Sequence, residues 1–147
     1  MKLLVSACLL GVGCRYDGKN NQVPRLAERM KKHTCIPVCA EIFGGLPTPR
    51  VPAERRGSKV FNRDGEDVTE AFVRGTAEVL RLADLYGCKA ALLKERSPSC
   101  GSGQIYDGTF TKTLVEGDGM TAQLLKKKGL TVYGESQIGE LLDERPF

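Results

Sequence analysis

Short apolar runs alternate with helical stretches along this chain, and each run stops abruptly at polar, glycine-rich sequence. Leu3-Leu4-Val5-Ser6-Ala7 stops before Gly11-Val12-Gly13, and Thr34 to Cys39 stops before Gly44-Gly45. Lys89-Ala90-Ala91-Leu92-Leu93-Lys94 stops before Ser97-Pro98-Ser99-Cys100-Gly101, and a fourth run covers Leu130 to Tyr133. Runs of that length read as buried strands. Between the first two, PRLAERMKK (24–32) opens on a proline suited to a first helical turn and carries Leu26, Ala27 and Met30 on one face. Asp67 to about Tyr86 carries Phe72, Ala77, Val79, Leu80, Ala83 and Leu85 at helical spacing and closes at Gly87. A third helix is expected over 120–128, capped by Gly129, and a short one over 135–143.

The order β-α-β-α-β-α-β-α predicts an α/β fold, a single open, mostly parallel sheet of about four strands with helices on both faces, Rossmann-like in architecture. Pro37 weakens the second strand or places it at an edge. The 147 residues suit one domain, taken as 1–147, and bury a core without disulfide staples. Residues 40–66 show no helical period, and 95–118 are irregular apart from a weak alternation over Gln104 to Leu114 that fits a small hairpin. Loops that long in a compact domain are usually functional. The N-terminus has one lysine and an apolar run too short for a signal peptide, and nothing approaches the roughly 20 apolar residues of a membrane span. A cytoplasmic protein is therefore expected. Its six cysteines then serve as ligands or a nucleophile rather than as disulfides.

Three of those cysteines, Cys8, Cys39 and Cys100, fall just where a strand ends and a loop begins. Parallel strands deliver their carboxyl ends to one rim, and ligands bind in the crevice outside it. Three thiols there can meet around one metal centre with a position left open, the mark of a catalytic rather than a structural site. Their separations match no local zinc-binding spacing, so convergence in space is the whole argument for them. Coincidence of three buried thiols is the competing reading. Three thiolates with no histidine nearby point to a soft metal or an iron–sulfur cluster. Cys14 sits in the first loop and reads as a further or reserve ligand. Cys35 and Cys88 lie at the starting ends of strands and read as buried hydrophobes. The only histidine, His33, is expected to cap the end of the first helix. A cysteine hydrolase therefore lacks a histidine beside Cys100.

Glu41 follows Cys39 by two residues, where it would activate water, accept a proton, or pair with Arg15 or Arg50. Ser97-Pro98-Ser99-Cys100-Gly101 reads as a tight turn whose hydroxyls and backbone N–H groups point at an anion or a carbonyl oxygen, or as an ordinary serine–proline turn. Arg15-Tyr16-Asp17-Gly18 and Tyr106-Asp107-Gly108 place an aromatic beside a carboxylate, suited to a planar ring, although Asp-Gly is equally a turn signal. Gly117-Asp118-Gly119 lacks a full phosphate-binding fingerprint and reads as a helix cap.

Ser6-Ala7-Cys8-Leu9-Leu10-Gly11 with Cys14-Arg15-Tyr16-Asp17-Gly18 resembles the opening of the thiouracil desulfidase family. Gly44-Gly45-Leu46-Pro47-Thr48-Pro49-Arg50, Pro52-Ala53-Glu54, Lys94, Ser97-Pro98-Ser99-Cys100-Gly101 and Ile105-Tyr106-Asp107-Gly108 continue the likeness over nearly the whole chain. Cys39-Ala40-Glu41 stands where the family usually has Cys-Pro-Glu, which relaxes the loop and keeps both functional positions. The resemblance implies a [4Fe-4S] cluster held by Cys8, Cys39 and Cys100, with Glu41 as acid/base and Ser97 orienting substrate or relaying protons. It implies hydrolytic, non-redox removal of sulfur from 2-thiouracil or a related thiolated base, giving uracil and sulfide. Arg15, Tyr16, Asp17 and Tyr106 are the expected substrate contacts, and N–H groups around Gly44-Gly45 and Gly101 are expected to face the cluster sulfides. Two alternatives stay open: a larger thiolated substrate such as a modified tRNA base, which a net charge of +4 admits but does not favour, and a non-catalytic cluster carrier.

Overall fold

The computed structural model describes residues 1–142. In chain order its elements begin with β1 (Lys2–Ser6), a 3-10 turn (Ala7–Leu10), α1 (Leu26–Arg29), β2 (Thr34–Val38) and α2 (Ala40–Phe43). They continue with β3 (Ala53–Arg56), β4 (Lys59–Asn62), α3 (Thr69–Tyr86), β5 (Ala90–Leu93), β6 (Gln104–Tyr106) and β7 (Leu114–Glu116). The last are α4 (Met120–Lys127), β8 (Thr131–Gly134), a second 3-10 turn (Glu135–Gln137) and α5 (Ile138–Leu141). Four strands make one parallel sheet in the order β2-β1-β5-β8, with Leu4 opposite both Ile36 and Ala91, and Ala91 opposite Val132.

Alternation along the strands sends successive side chains to two separate cores. Leu4, Ile36, Val38, Ala91 and Leu93 pack with Val79 and Ala83 of α3 and with Ala122 and Leu125 of α4. Leu3, Val5, Ala90 and Leu92 pack on the other face with Leu26 and Met30 around α1 and with Ile138 and Leu141 of α5. Helices thus cover both faces, which is why the strands are apolar throughout. The expected α/β architecture is borne out. Pro37 lies in β2, at the sheet edge.

The longest helix, α3, starts and stops where its sequence requires. Gly87 takes a left-handed φ of 67°, its N–H donates to the Asp84 carbonyl, and the next N–H, of Cys88, donates to the Ala83 carbonyl. Its buried stripe is Ala71, Phe72, Gly75, Thr76, Val79 and Ala83, whereas the expected Ala77 is exposed and Leu85 is 72% exposed. The Thr76 and Thr121 hydroxyls meet at 2.7 Å between α3 and α4, so neither is left unpaired in the core.

Three expectations need correction. The helix expected over 24–32 is only the single turn α1, because Arg25 is left-handed at φ 60° and Ala27 faces solvent. Residues 40–66, read as irregular, contain α2 and the antiparallel hairpin β3–β4. The helix expected over 135–143 is a 3-10 turn followed by α5, and residue 143 lies outside the described residues. The hairpin expected near Gln104 to Leu114 is present as β6–β7. No described helix is long and apolar enough to cross a membrane.

The short helix α2 is seated on α3 by two glycines. A β-carbon on Gly75 would overlap the Ala40 carbonyl, and one on Gly44 would overlap the carbonyl of Ala71. The two backbones therefore touch directly, which fixes where α2 sits relative to the sheet.

Candidate active site

The chain runs from β1 out to β2 and then returns to β5 on the other side of β1, so strand order reverses between β1 and β5. Open α/β sheets place their ligand crevice at such a reversal. Here it is a cavity of about 440 Å³ whose wall includes Cys8, Cys14, Cys39, Cys100, Glu41 and Ser97. Each of the three strand-end cysteines arrives as expected. Cys8 lies in the 3-10 turn after β1, Cys39 is the residue before α2, and Cys100 sits in the turn after β5. Cys100 is buried, and the other two are half-buried.

Cys14 joins them. The loop reverses at Gly11, with a left-handed φ of 97°, and carries the buried Cys14 thiol into hydrogen bonds with both Cys39 and Cys8. Those bonds from Cys14 are the main reason the Cys8 and Cys39 thiols fall to about 7, against the opposing effect of burial. The Cys14 thiol is correspondingly raised. Burial pushes the Cys100 thiol up to about 12, partly opposed by hydrogen bonds from Ser6 and Ser99. Two thiols poised for deprotonation, a third in a dry pocket and a fourth between them make a soft donor set. Among the described residues, no three His, Cys, Asp or Glu side chains close on a single metal ion.

Cys35 and Cys88 stay away from the cavity. Cys88 is buried in the core under α3, and Cys35 packs half-buried on the opposite face of the sheet. Desolvation raises both thiols, as for inert core cysteines. His33 caps no helix, since α1 ends earlier, and its ring Nδ1 lies 3.5 Å from the N-terminal amine.

Beside the thiols runs a chain of polar contacts. The Arg50 Nε donates to Glu41 Oε1 at 3.0 Å, and the Ser99 hydroxyl donates to Glu41 Oε2 at 3.0 Å. Ser99 Oγ is in turn 2.9 Å from Ser97 Oγ. Ser97 Oγ accepts the backbone N–H groups of Ser99, at 3.1 Å, and of Cys100, at 3.0 Å. The serine turn therefore uses those two N–H groups internally, and they do not face an anion as expected. The N–H groups of Gly44, Gly45 and Gly101 are likewise taken, by the carbonyls of Ala40, Ile42 and Ser97.

Of the expected substrate contacts, Arg15, Tyr16 and Tyr106 line the cavity. Asp17 does not; its carboxylate holds Arg15 through contacts of 3.0 and 2.6 Å, which also pulls Asp17 toward the ionised form. Asp107 likewise turns away and binds the N–H and hydroxyl of Thr109. Sequence reading missed Asn21, Phe110 and Lys112 in the wall, and gave no role to Lys94, whose ammonium pairs with Glu135 at 3.0 Å. No spacing rule marks these residues, which come to the cavity through loop folding. A second cavity of about 610 Å³ lies between the end of β3 and the β6–β7 hairpin, and its Arg55 is consumed by the Asp118 carbonyl and Gln123.

The 2-thiouracil desulfurase family model matches residues 3–137, a span that includes every residue of the thiol cavity named above. The chain belongs to the 2-thiouracil desulfurase family. It is 39% identical to the Bacillus subtilis (strain 168) protein YbbK, itself uncharacterized, over 95% of this chain and 99% of that one. A solved structure of TudS, a [4Fe-4S]-dependent thiouracil desulfidase, matches with a TM-score of 0.92 at 45% identity, covering 97% of this chain and 96% of that one. The family resemblance carried by the Ser6–Gly18, Gly44–Arg50 and Ser97–Gly101 motifs is borne out, and so is the fold it implied. For a thiouracil desulfurase family member, a pocket walled by thiols, a paired carboxylate and two tyrosines is a coherent set of parts.

Proposed function

We propose that this chain is a [4Fe-4S]-dependent desulfidase that removes sulfur from 2-thiouracil or a related thiolated base by hydrolysis, with Cys8, Cys39 and Cys100 as the cluster ligands. The observation that carries the reading is the convergence of three thiols, from three different strand ends, on one cavity that also holds Glu41. The residues present fit such a group. Their donors are sulfur alone, two of the thiols ionise readily, and the cavity of about 440 Å³ has room beyond the cysteines for a planar base. Cys14 is left over as a fourth thiol rather than a required ligand. When bound, the cluster would supply a soft Lewis acid toward the thiocarbonyl sulfur.

The protein's own groups do the rest. Tyr16 and Tyr106 flank the cavity and offer faces for stacking, and Arg15, held by Asp17, places a charge at its mouth. Glu41 has one lone pair on each oxygen committed, to Arg50 and to Ser99, which leaves a second on each for an attacking water. It takes the water proton as oxygen adds to the thiocarbonyl carbon, and Ser97 orients the base and returns a proton. One water and one thiouracil give one uracil and one hydrogen sulfide, with no change of oxidation state. Enclosure of the thiols in the cavity, beside the Arg50–Glu41 ion pair, favours a catalyst over a carrier that must hand its cluster on.

The test is anaerobic reconstitution, with iron, sulfide and 2-thiouracil turnover measured on one sample. About four irons per chain with uracil and sulfide formed in equal amounts are expected, both lost in Cys39→Ala. Iron without turnover of any thiolated base overturns the catalytic reading, and failure to take up iron overturns the cluster.

A further inference from the structure

Pro52-Ala53-Glu54 belongs to the family likeness, yet the chemistry above gives it no role. Glu54 lies in β3 and lines the thiol cavity. One of its carboxylate oxygens, Oε1, accepts two backbone N–H groups, from Gly108 at 2.9 Å and from Phe110 at 3.1 Å. Both residues belong to the strap 107–113 that joins β6 to β7. The strap is seated on β3 a second time, because a β-carbon on Gly108 would overlap the Arg56 side chain. Arg56 is itself laid over the Phe61 ring, with Cζ 4.4 Å from its centre. Phe110 takes a left-handed φ of 58°, a backbone shape that a bulky residue keeps only where its surroundings hold it. Among the described residues four non-glycines have such a φ, and three of them, Arg96, Phe110 and Lys112, line this cavity. The Glu54 carboxylate acts on Phe110 directly, through that residue's own N–H.

We propose that Glu54 is a positioning residue for substrate: by clamping the strap it sets the Phe110 ring as a stacking face for the thiolated base. This rests on the desulfidase reading above and adds to it a group that holds the base. A planar ring binds best against an aromatic face already in place, since no loop or side chain then has to be ordered on binding. Without the clamp, the Phe110 backbone is free to leave the left-handed region and carry its ring out of the cavity wall. Glu54 acts through an acceptor oxygen rather than through its charge, so Glu54→Gln keeps an oxygen for both bonds. It makes and breaks no bond of the substrate. Its loss is therefore felt in substrate binding, and the chemical step is left to the groups beside the thiols.

The test compares the anaerobically reconstituted wild type with Glu54→Ala, Glu54→Gln, Phe110→Ala and Glu54→Ala/Phe110→Ala. Four quantities are read on each: iron content, amide hydrogen exchange over 107–113, equilibrium Kd for 2-thiouracil, and kcat and KM. Glu54→Ala is expected to keep its iron, exchange faster over the strap, and raise Kd and KM about tenfold with kcat within about threefold. Phe110→Ala is expected to raise Kd and KM by a similar factor. Adding Glu54→Ala to it should cost less than about twofold more, because the ring being positioned is already gone. Glu54→Gln is expected to stay within about threefold of wild type in exchange, Kd and KM. A Glu54→Gln as impaired as Glu54→Ala overturns the proposal, since charge and not the clamp would then matter. So does an equal cost of Glu54→Ala with and without Phe110, or a loss that only tracks iron. Normal wild-type kinetics with an unmoved KM in Glu54→Ala removes the positioning role alone. Binding of 2-thiouracil without turnover removes the desulfidase reading, and the Kd series then decides the positioning role. A wild type that neither binds nor turns over 2-thiouracil overturns both.

Discussion

Every nitrogen of the Arg50 guanidinium meets a protein acceptor: Nε meets Glu41, Nη2 the Cys14 carbonyl at 2.9 Å, and Nη1 the Thr48 hydroxyl and Pro47 carbonyl. Its side chain is 7% exposed, and that of Glu41 16%. A pair this dry is weak evidence for stability in itself, yet losing one partner strands the other charge. Arg50→Ala is expected to lower the unfolding free energy by about 3 kcal/mol in anaerobic urea titration. Adding Glu41→Gln should recover part of that loss, since the stranded charge is then gone. Full additivity of the two losses would mean that Arg50 acts through its carbonyl contacts instead. Arg50→Lys is not a conservative change here, because an ammonium cannot reach acceptors spread around a planar fork. Glu41 and Ser99 lie 58 residues apart, and Arg50 and Cys14 lie 36 apart. Contacts of that range follow from the fold and leave no trace in local spacing, so sequence reading offered Arg50 only as one of two partners for Glu41.

Among elements, those with a long periodic pattern or an apolar run were readable and the short irregular ones were not. Helix α3 has enough residues for burial to impose a period on the sequence, and the sheet strands, covered on both faces, show as short apolar runs. A single turn such as α2 cannot show a period of 3.6, and β3, Ala-Glu-Arg-Arg, lacks the alternation that marks a half-buried strand. Its turn does carry a signal, Gly57 with a left-handed φ of 61° before Ser58, which went unread inside a stretch dominated by prolines and glycines. The three ligand candidates were readable because each sits at a strand end, whose position follows from the apolar runs. The α2–α3 contact makes a test at this scale. Gly75→Ala forces a methyl into the Ala40 carbonyl and is expected to cost about 2–3 kcal/mol, with iron content falling as α2, between Cys39 and Gly44, is pushed off its seat. Gly139→Ala, in α5 with nothing within 4 Å of the new methyl, should be neutral or stabilise by about 0.5–1 kcal/mol. Equal effects of the two substitutions on stability and iron would remove the glycine seat as an explanation.

At the scale of the whole molecule, the cavity draws on segments from Ser6 to Lys112 and closes only when β1, β2 and β5 lie side by side. An iron-loaded protein should therefore melt several degrees above the same chain stripped anaerobically with a chelator, because what binds only the folded state stabilises it. Coincident melting of the two forms would mean that the thiols hold the cluster too loosely to matter to the fold. Cys8, Cys39 and Cys100 divide the chain into long stretches whose ends an unfolded chain would rarely bring together. Anchored at all three, a cofactor is also a rivet through the sheet. A cell that fails to supply iron would then hold a protein that is more easily opened and digested as well as one that is idle.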